Sequence, residues 1–265
     1  MTPEAFREIV WEKGRRLYRP MPWRDQPTLY HVLVSELMLQ QTQVSRAIVK
    51  YAEFMQAFPS LEALAEASLA EVLRVWQGLG YNRRAKYLHQ AARQIVAQGE
   101  PTTLTELVAL PGIGKNTAGA MMNYVYQVPT AFVETNIRSV YFYYFFANRT
   151  DVPDSEVHAV VEETMDQEHP REWFWALMDV GAWLKSQGQA RLSTSRHYKK
   201  QPPLKGSVRE VRGQIIHVLT GAPSTLKNYR HELQDEARFT VAVQGLQQDG
   251  LIVEVNSVFR LTDRG

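Results

Sequence analysis

The chain has 265 residues, 45% of them hydrophobic and 22% charged, the composition of a globular protein long enough for two domains. It contains no cysteine, which excludes disulfides, thiol catalysis, cysteinyl zinc sites and cysteine-ligated iron–sulfur clusters. No apolar run reaches the roughly eighteen residues a membrane span needs, and Thr2-Pro3-Glu4-Ala5-Phe6-Arg7 lacks the order of a secretory signal, so the cytoplasm is the expected address.

Helical periodicity runs from the start to about Gln187. Phe6, Val10, Leu17 and Tyr18 define an amphipathic helix over residues 2–18. A more apolar helix is expected over 29–39, then helices over 44–58, 61–67, 69–77 and 83–97. The last of these carries Ala85, Leu88, Ala91, Ala92 and Ile95 on one side. Trp76, Met178 and the aromatics from Tyr141 to Phe146 read as core. No segment before Gln187 alternates with period two, so residues 1–187 are expected to form one all-α domain.

Between Gly188 and Gly206 the pattern gives way to a polar, basic connector punctuated by serine, proline and glycine; residues 188–204 are expected to be a linker. From Lys185 to Arg212 eight basic residues, Lys199 and Lys200 among them, face Glu210 alone, although the whole chain carries a net charge of only +2. Such a concentration suits phosphate binding, and equally a solvated linker. In residues 205–265 a helix with Val208, Val211, Ile215, Ile216 and Leu219 is followed by helices over 224–233 and 236–248. Two short strands then flank Asn256-Ser257. Three helices and a hairpin are the order of a winged helix, a small α+β domain.

Leu110-Pro111-Gly112-Ile113-Gly114 lies between helical runs at 104–109 and 116–126. Glycines permit positive φ and leave no side chain between backbone and ligand. The amides of Gly112 and Gly114, with the following helix N-terminus, can hold a phosphate oxygen; Lys115 adds charge and Thr117 a hydroxyl. This segment resembles the helix-hairpin-helix of the endonuclease III superfamily. The blocks Pro22-Trp23-Arg24, Ser35-Glu36-Leu37-Met38-Leu39-Gln40-Gln41-Thr42, Trp76-Gln77-Gly78-Leu79-Gly80-Tyr81, Phe132-Val133-Glu134-Thr135-Asn136 and Ala176-Leu177-Met178-Asp179 are similar, in order and spacing, to MutY-type adenine DNA glycosylases. The likeness covers Pro22 to Ala182. It implies a bilobal, all-α glycosylase domain that flips a base from duplex DNA and cuts its N-glycosidic bond.

That reaction needs a proton for the leaving base and an anion beside the developing oxocarbenium ion. Glu36 interrupts an apolar stretch, and partial desolvation there favours a protonated carboxyl. By resemblance it is the residue that protonates adenine and later handles water. The superfamily has an aspartate where this chain has Glu134, so three outcomes stay open: a pocket rebuilt around the longer acid, a different substrate, or binding without cutting. Glu134 also stands where it could simply cap the next helix. Asn136 matches the asparagine that supports this carboxylate. Bifunctional members carry a nucleophilic lysine at the position of Asn116; Lys115, one residue earlier, lies about 100° around the helix. No lyase chemistry is expected. Gln40 and Gln41 match the wedge that fills the vacated stack, Tyr81 is placed to stack opposite the flipped base, and Arg24 matches an arginine near it.

The four cysteines that ligate a [4Fe–4S] cluster in these families are absent, so no cofactor is expected. The basic 191–200 stretch is a candidate replacement grip on phosphates, and the winged-helix-like tail stands where MutY proteins carry a hydrolase-like domain. The expectation is a monofunctional glycosylase, monomeric on double-stranded DNA, with adenine in a mispair as first substrate and uracil or thymine mismatches second. A catalytically silent DNA-structure binder is the rival, and a winged-helix regulator a more distant one.

Overall fold

The computed structural model describes residues 1–196 and 202–262. Lys199 and Lys200 lie outside the described residues. The helices in chain order begin α1 (Pro3–Leu17), α2 (Pro22–Asp25), α3 (Leu29–Leu39), α4 (Val44–Ala57), α5 (Leu61–Glu66) and α6 (Leu69–Trp76). They continue α7 (Arg83–Gln98), α8 (Leu104–Val108), α9 (Lys115–Tyr124), α10 (Thr135–Tyr144), α11 (Asp154–Thr164) and α12 (Pro170–Ser186). After a 3₁₀ turn at Leu192–Thr194 come α13 (Val208–Gly221), α14 (Lys227–Leu233), α15 (Glu236–Gln248) and the strands β1 (Ile252–Val255) and β2 (Val258–Leu261).

Two compact units emerge. The first comprises residues 1–32, 102–109 and 113–196; the second comprises 33–101, 110–112 and 202–262. In the first unit α12 is the central element, packed by α1, α9 and α10. Two glycines permit these close approaches. A Cβ on Gly14 of α1 would collide with Ala176, and one on Gly181 of α12 would collide with the main-chain carbonyl of Asn136. Around them Phe6, Trp173, Phe174, Tyr141 and Phe142 are fully buried.

The same unit encloses an ion triad. Asp179, only 1% exposed, takes Arg24 through both carboxylate oxygens, at 2.7 and 3.0 Å, and Arg19 Nε at 2.7 Å. Arg24 also lies over the rings of Tyr18 and Trp175. Buried charge of this kind persists because Arg24 and Asp179 are paired and hydrogen-bonded, while Arg19, the second cation, is 34% exposed to solvent.

In the second unit α7 packs on α5 and α6, burying Ala85, Leu88, Ala91, Ala92 and Ile95, the face its periodicity predicts. The tail builds its own core from Val211, Ile215, Ile216, Leu219, Phe239, Leu246, Leu251 and Leu261. β1 and β2 pair antiparallel, Ile252 opposite Leu261, around Asn256 and Ser257, whose φ values of 51° and 64° are those of a type I′ hairpin turn. Ser224 bridges to Phe259 as a third strand-like edge. The tail is not set apart: α13 packs on α6, and Gln77 bonds Thr220 and His217. Among the described residues no helix is long and apolar enough to cross a membrane.

Asp179→Asn is expected to destabilise the protein by about 3–5 kcal/mol, because it strands the buried Arg24 charge. Urea unfolding of the two proteins measures the difference.

Candidate active site

The second unit carries Glu36, Gln40, Gln41, Tyr81 and Gly112; the first carries Arg24, Gly114, Lys115, Asn116, Thr117, Glu134 and Asn136. Glu36 sits on α3 with Val34, Ser35, Leu37 and Met38 buried around it, and is itself half-buried. The interruption of an apolar stretch is therefore real in three dimensions.

Beyond α3 the chain turns sharply at Gln41, whose φ is +58°, and Tyr81 stands at +48°. Left-handed backbone at residues other than glycine costs of order 1 kcal/mol or more each and persists only where surroundings enforce it. Here the enforcer is Arg84, which the sequence reading did not single out. Its Nη1 donates to the carbonyls of Leu37, Met38 and Gln40 at 2.6–2.9 Å, closing the C-terminus of the helix that bears Glu36. Its Nη2 donates to Thr42 Oγ1 and to the carbonyls of Leu79 and Gly80 at 3.1–3.2 Å. One guanidinium thus braces both the Gln40-Gln41 turn and the Gly78–Tyr81 turn. Burial lowers the pKa of Arg84 to about 10, and the group stays cationic at neutral pH. Tyr81 lies within 6 Å of two guanidinium groups, with Arg84 5.6 Å and Arg209 5.7 Å from its ring centroid. Its phenolic oxygen accepts from Arg209 Nη1 at 2.5 Å, a bond supplied by α13 of the tail.

In the hairpin, Gly112 has φ +76° and lies so close to Tyr87 that a Cβ would sit 2.7 Å from that side chain. Glycine is required there. Gly114 differs from expectation: at φ −88° it is an ordinary N-cap of α9, a conformation open to any residue. A Cβ on it would meet nothing within 4 Å, so its use is to leave the backbone bare to an approaching group. No side chain caps this end of α9, and Lys115 is exposed beside it with Thr117 half-buried. The local electrostatics favour an anion.

Glu134 is half-buried and N-caps α10. Oε1 accepts from the amides of Asn136 at 2.6 Å and Ile137 at 2.9 Å. Its pKa is raised by desolvation, against the lowering effect of the Ile137 and Asn136 amides and of Arg138. The capping role and an electrostatic role are compatible, because the Asn136 and Ile137 amides both bond Oε1. Arg138 is held in turn by Asp154 at 2.8 and 3.1 Å. Asn116 turns its carboxamide to the main chain of Val133, 2.8 Å from Nδ2 to the carbonyl oxygen. Arg24 belongs to the buried triad with Asp179, which accounts for its presence without a ligand.

A glycine-bearing hairpin ahead of an uncapped helix, followed by an acidic cap on the next long helix, is the arrangement expected of a helix-hairpin-helix. The comparisons agree. The profile described as HhH-GPD superfamily base excision DNA repair protein matches residues 34–165. The adenine DNA glycosylase of Mycobacterium tuberculosis is 32% identical over 285 residues, covering 97% of this chain and 93% of its own. That of Mycolicibacterium smegmatis is 31% identical, with 88% of each chain covered. That of Buchnera aphidicola subsp. Baizongia pistaciae is 31% identical over 62% of this chain, which spans only 48% of the Buchnera protein. Among solved structures, a thermostable thymine-DNA glycosylase superposes with a TM-score of 0.58 at 22% identity, covering 68% of this chain and 87% of its own. An endonuclease III–DNA covalent intermediate gives 0.55 at 16% identity, with 77% and 91% covered. The chain belongs to the HhH-GPD superfamily of base excision DNA repair proteins, on its MutY-type adenine DNA glycosylase branch.

Arg84→Lys keeps the charge but not the fork of donors. Charged hydrogen bonds contribute about 1.5–3 kcal/mol each and lysine replaces only some of them, so the variant is expected to lose roughly 2–4 kcal/mol of stability in urea unfolding.

Proposed function

We propose that this protein is a monofunctional glycosylase that removes adenine from a mispair in double-stranded DNA, acting as a monomer. The capped carboxyl of Glu134 carries the reading, since two amides at the start of α10 hold it where, once ionised, it would stabilise a developing oxocarbenium ion. Adenine is favoured because the relatives that match nearly the whole chain are adenine DNA glycosylases.

In this reading Glu36, as the neutral acid, gives its proton to the flipped adenine. The C1′–N9 bond then breaks with its electron pair passing to the base, and the positive sugar is stabilised by ionised Glu134. Glu36, now a carboxylate, takes a proton from the water that adds to C1′. Asn136 supports Glu134 from the first turn of α10, while Gln40, Gln41 and Tyr81 fill and read the opened stack. Gly112, Gly114, Lys115 and Thr117 grip a backbone phosphate, with Lys199 and Lys200 as further cations in the connector.

Lyase activity is not part of the proposal. The position of the superfamily's nucleophilic lysine is Asn116, and its amide is engaged by Val133. Nor does the iron–sulfur cluster of MutY-type proteins fit, because the chain has no cysteine to ligate it. Among the described residues no group of three or more His, Asp or Glu side chains is arranged for a metal. The segment after α12 is instead tied by main-chain bonds: Val152 N to the Thr194 carbonyl at 3.0 Å and Arg196 N to the Val152 carbonyl at 3.2 Å. An Arg196–Asp151 ion pair closes it at 2.8 Å.

The test is a panel of end-labelled duplexes with A opposite 8-oxoguanine, A opposite G, U opposite G and T opposite G, each with and without alkali. Strand scission of the adenine duplexes only after alkali is expected, and borohydride should trap no protein–DNA adduct. Cutting of U or T alone would move the substrate, and tight binding without cutting would make the protein a structure binder. Glu36→Gln and Glu134→Gln should each slow excision about 10²–10⁴-fold.

Excision should also fall on the acid side with an apparent pKa above the ordinary glutamate value of about 4.3. Glu134 must be ionised to act, and a raised pKa moves its protonation, and the loss of rate, to higher pH as acidity increases. A single-turnover pH–rate profile measures the shift.

A further inference from the structure

The four residues before Glu134, Thr130-Ala131-Phe132-Val133, form no helix or strand, so their peptide groups lack the partners that secondary structure supplies. Helix α9 supplies partners to Val133 and Thr130, while His158 of α11 meets the Ala131 carbonyl at 3.1 Å. Asn116 Nδ2 donates to the Val133 carbonyl at 2.8 Å, and Val133 N donates to Asn116 Oδ1 at 3.4 Å. Asn123 repeats the arrangement: Nδ2 donates to the Thr130 carbonyl at 2.7 Å, and Thr130 N donates to Oδ1 at 3.2 Å. Residues 116 and 123 are two helical turns apart and share a face of α9. Gly119 lies between them, where an added Cβ would come within 2.9 Å of the Phe132 side chain. A carboxamide offers a donor and an acceptor at a spacing that matches the N–H and C=O of one residue. Lysine at either place has no acceptor and cannot make both bonds.

We propose that Asn116 and Asn123 are positioning residues that lay the 130–133 segment along α9 and so set where the carboxylate of Glu134 stands. The proposal rests on the reading of Glu134 as the anion beside the departing sugar. Downstream of the acid the backbone is fixed as well, by Gly181 against Asn136 and by Arg138 on Asp154. The upstream clamp therefore removes the remaining freedom of a glutamate whose side chain is longer than the superfamily's aspartate. Asn123 is fully buried and its bond to the Gly119 carbonyl at 2.7 Å ties it into the helix. Asn116 is exposed, so its side chain can be changed with little loss of packing.

Asn116→Ala is the decisive variant, with Asn123→Ala as a second. Single-turnover excision of adenine opposite 8-oxoguanine should slow about tenfold to a hundredfold, the cost of roughly an ångström of misplacement. Affinity for the same duplex carrying a tetrahydrofuran abasic analogue should stay unchanged. The acid limb of the pH–rate profile should move, and Asn116→Ala should add nothing to Glu134→Gln. Amide hydrogen exchange should rise across 130–137 and not elsewhere. A wild-type rate and profile, or multiplicative effects with Glu134→Gln, would overturn the proposal. If Glu134→Gln cuts normally, the reading of Glu134 fails instead. If the wild type cuts no duplex, exchange alone decides, and unaltered exchange in Asn116→Ala rejects the clamp.

Discussion

The guanidinium of Arg84 is the interaction on which the second unit's functional surface depends. It is 6% exposed, and its six hydrogen bonds reach two turns that are remote in sequence. Without it, the carbonyls of Leu37, Met38 and Gln40 would lose a charged donor, and the turns that carry the left-handed Gln41 and Tyr81 would lose the group that braces both. The same group lies against the rings of Trp76 and Tyr81, so its long side chain fills space as well as bonding. Stability and ligand-facing geometry are thus supplied by one residue.

The first unit solves a comparable problem without charge. An acidic side chain must stand still in a partly dry place, yet it follows a stretch with no secondary structure. Helix dipole and free amides at the start of α10 hold the carboxylate, and asparagine carboxamides hold the backbone that delivers it. Desolvation raises the pKa while the amides oppose the rise. The acid is therefore held by backbone groups, which do not titrate.

Much of this fold is written in local pattern. The buried face of α7, the buried Val211, Ile215, Ile216 and Leu219 of α13, and the hairpin at Asn256-Ser257 follow from periodicity and turn chemistry. The placements of the two candidate acids were legible as well, Glu36 within a buried stretch of α3 because charge interrupts an apolar helix and Glu134 as the cap of the next helix. What sequence alone did not reveal are the polar pairings. Arg84, Asp179 and Asn123 find partners up to 160 residues away or on irregular backbone, and no periodicity marks them. Arg24 shows the same limit, since no local pattern marks its partner, a carboxylate 155 residues distant. Of the two uses that sequence offers for the hairpin glycines, positive φ applies at Gly112 alone, and Gly114 keeps only the bare backbone.

The carboxylate of Asp249 meets Arg212 from within the tail and Arg83 from the first turn of α7, while Lys86 donates to its carbonyl at 3.0 Å. One residue at the end of α15 therefore gathers cations from sequence positions more than 120 apart. Helix α7 and the tail should consequently open together, as a single cooperative unit, when the native state fluctuates. A protease that severs the connector would leave the tail associated with α7, and shortening the chain from its C-terminus as far as Asp249 would strip Leu261, Ile252 and Leu251 from the tail's core and then loosen α7. The tail is part of the scaffold's mechanics, whatever it touches outside.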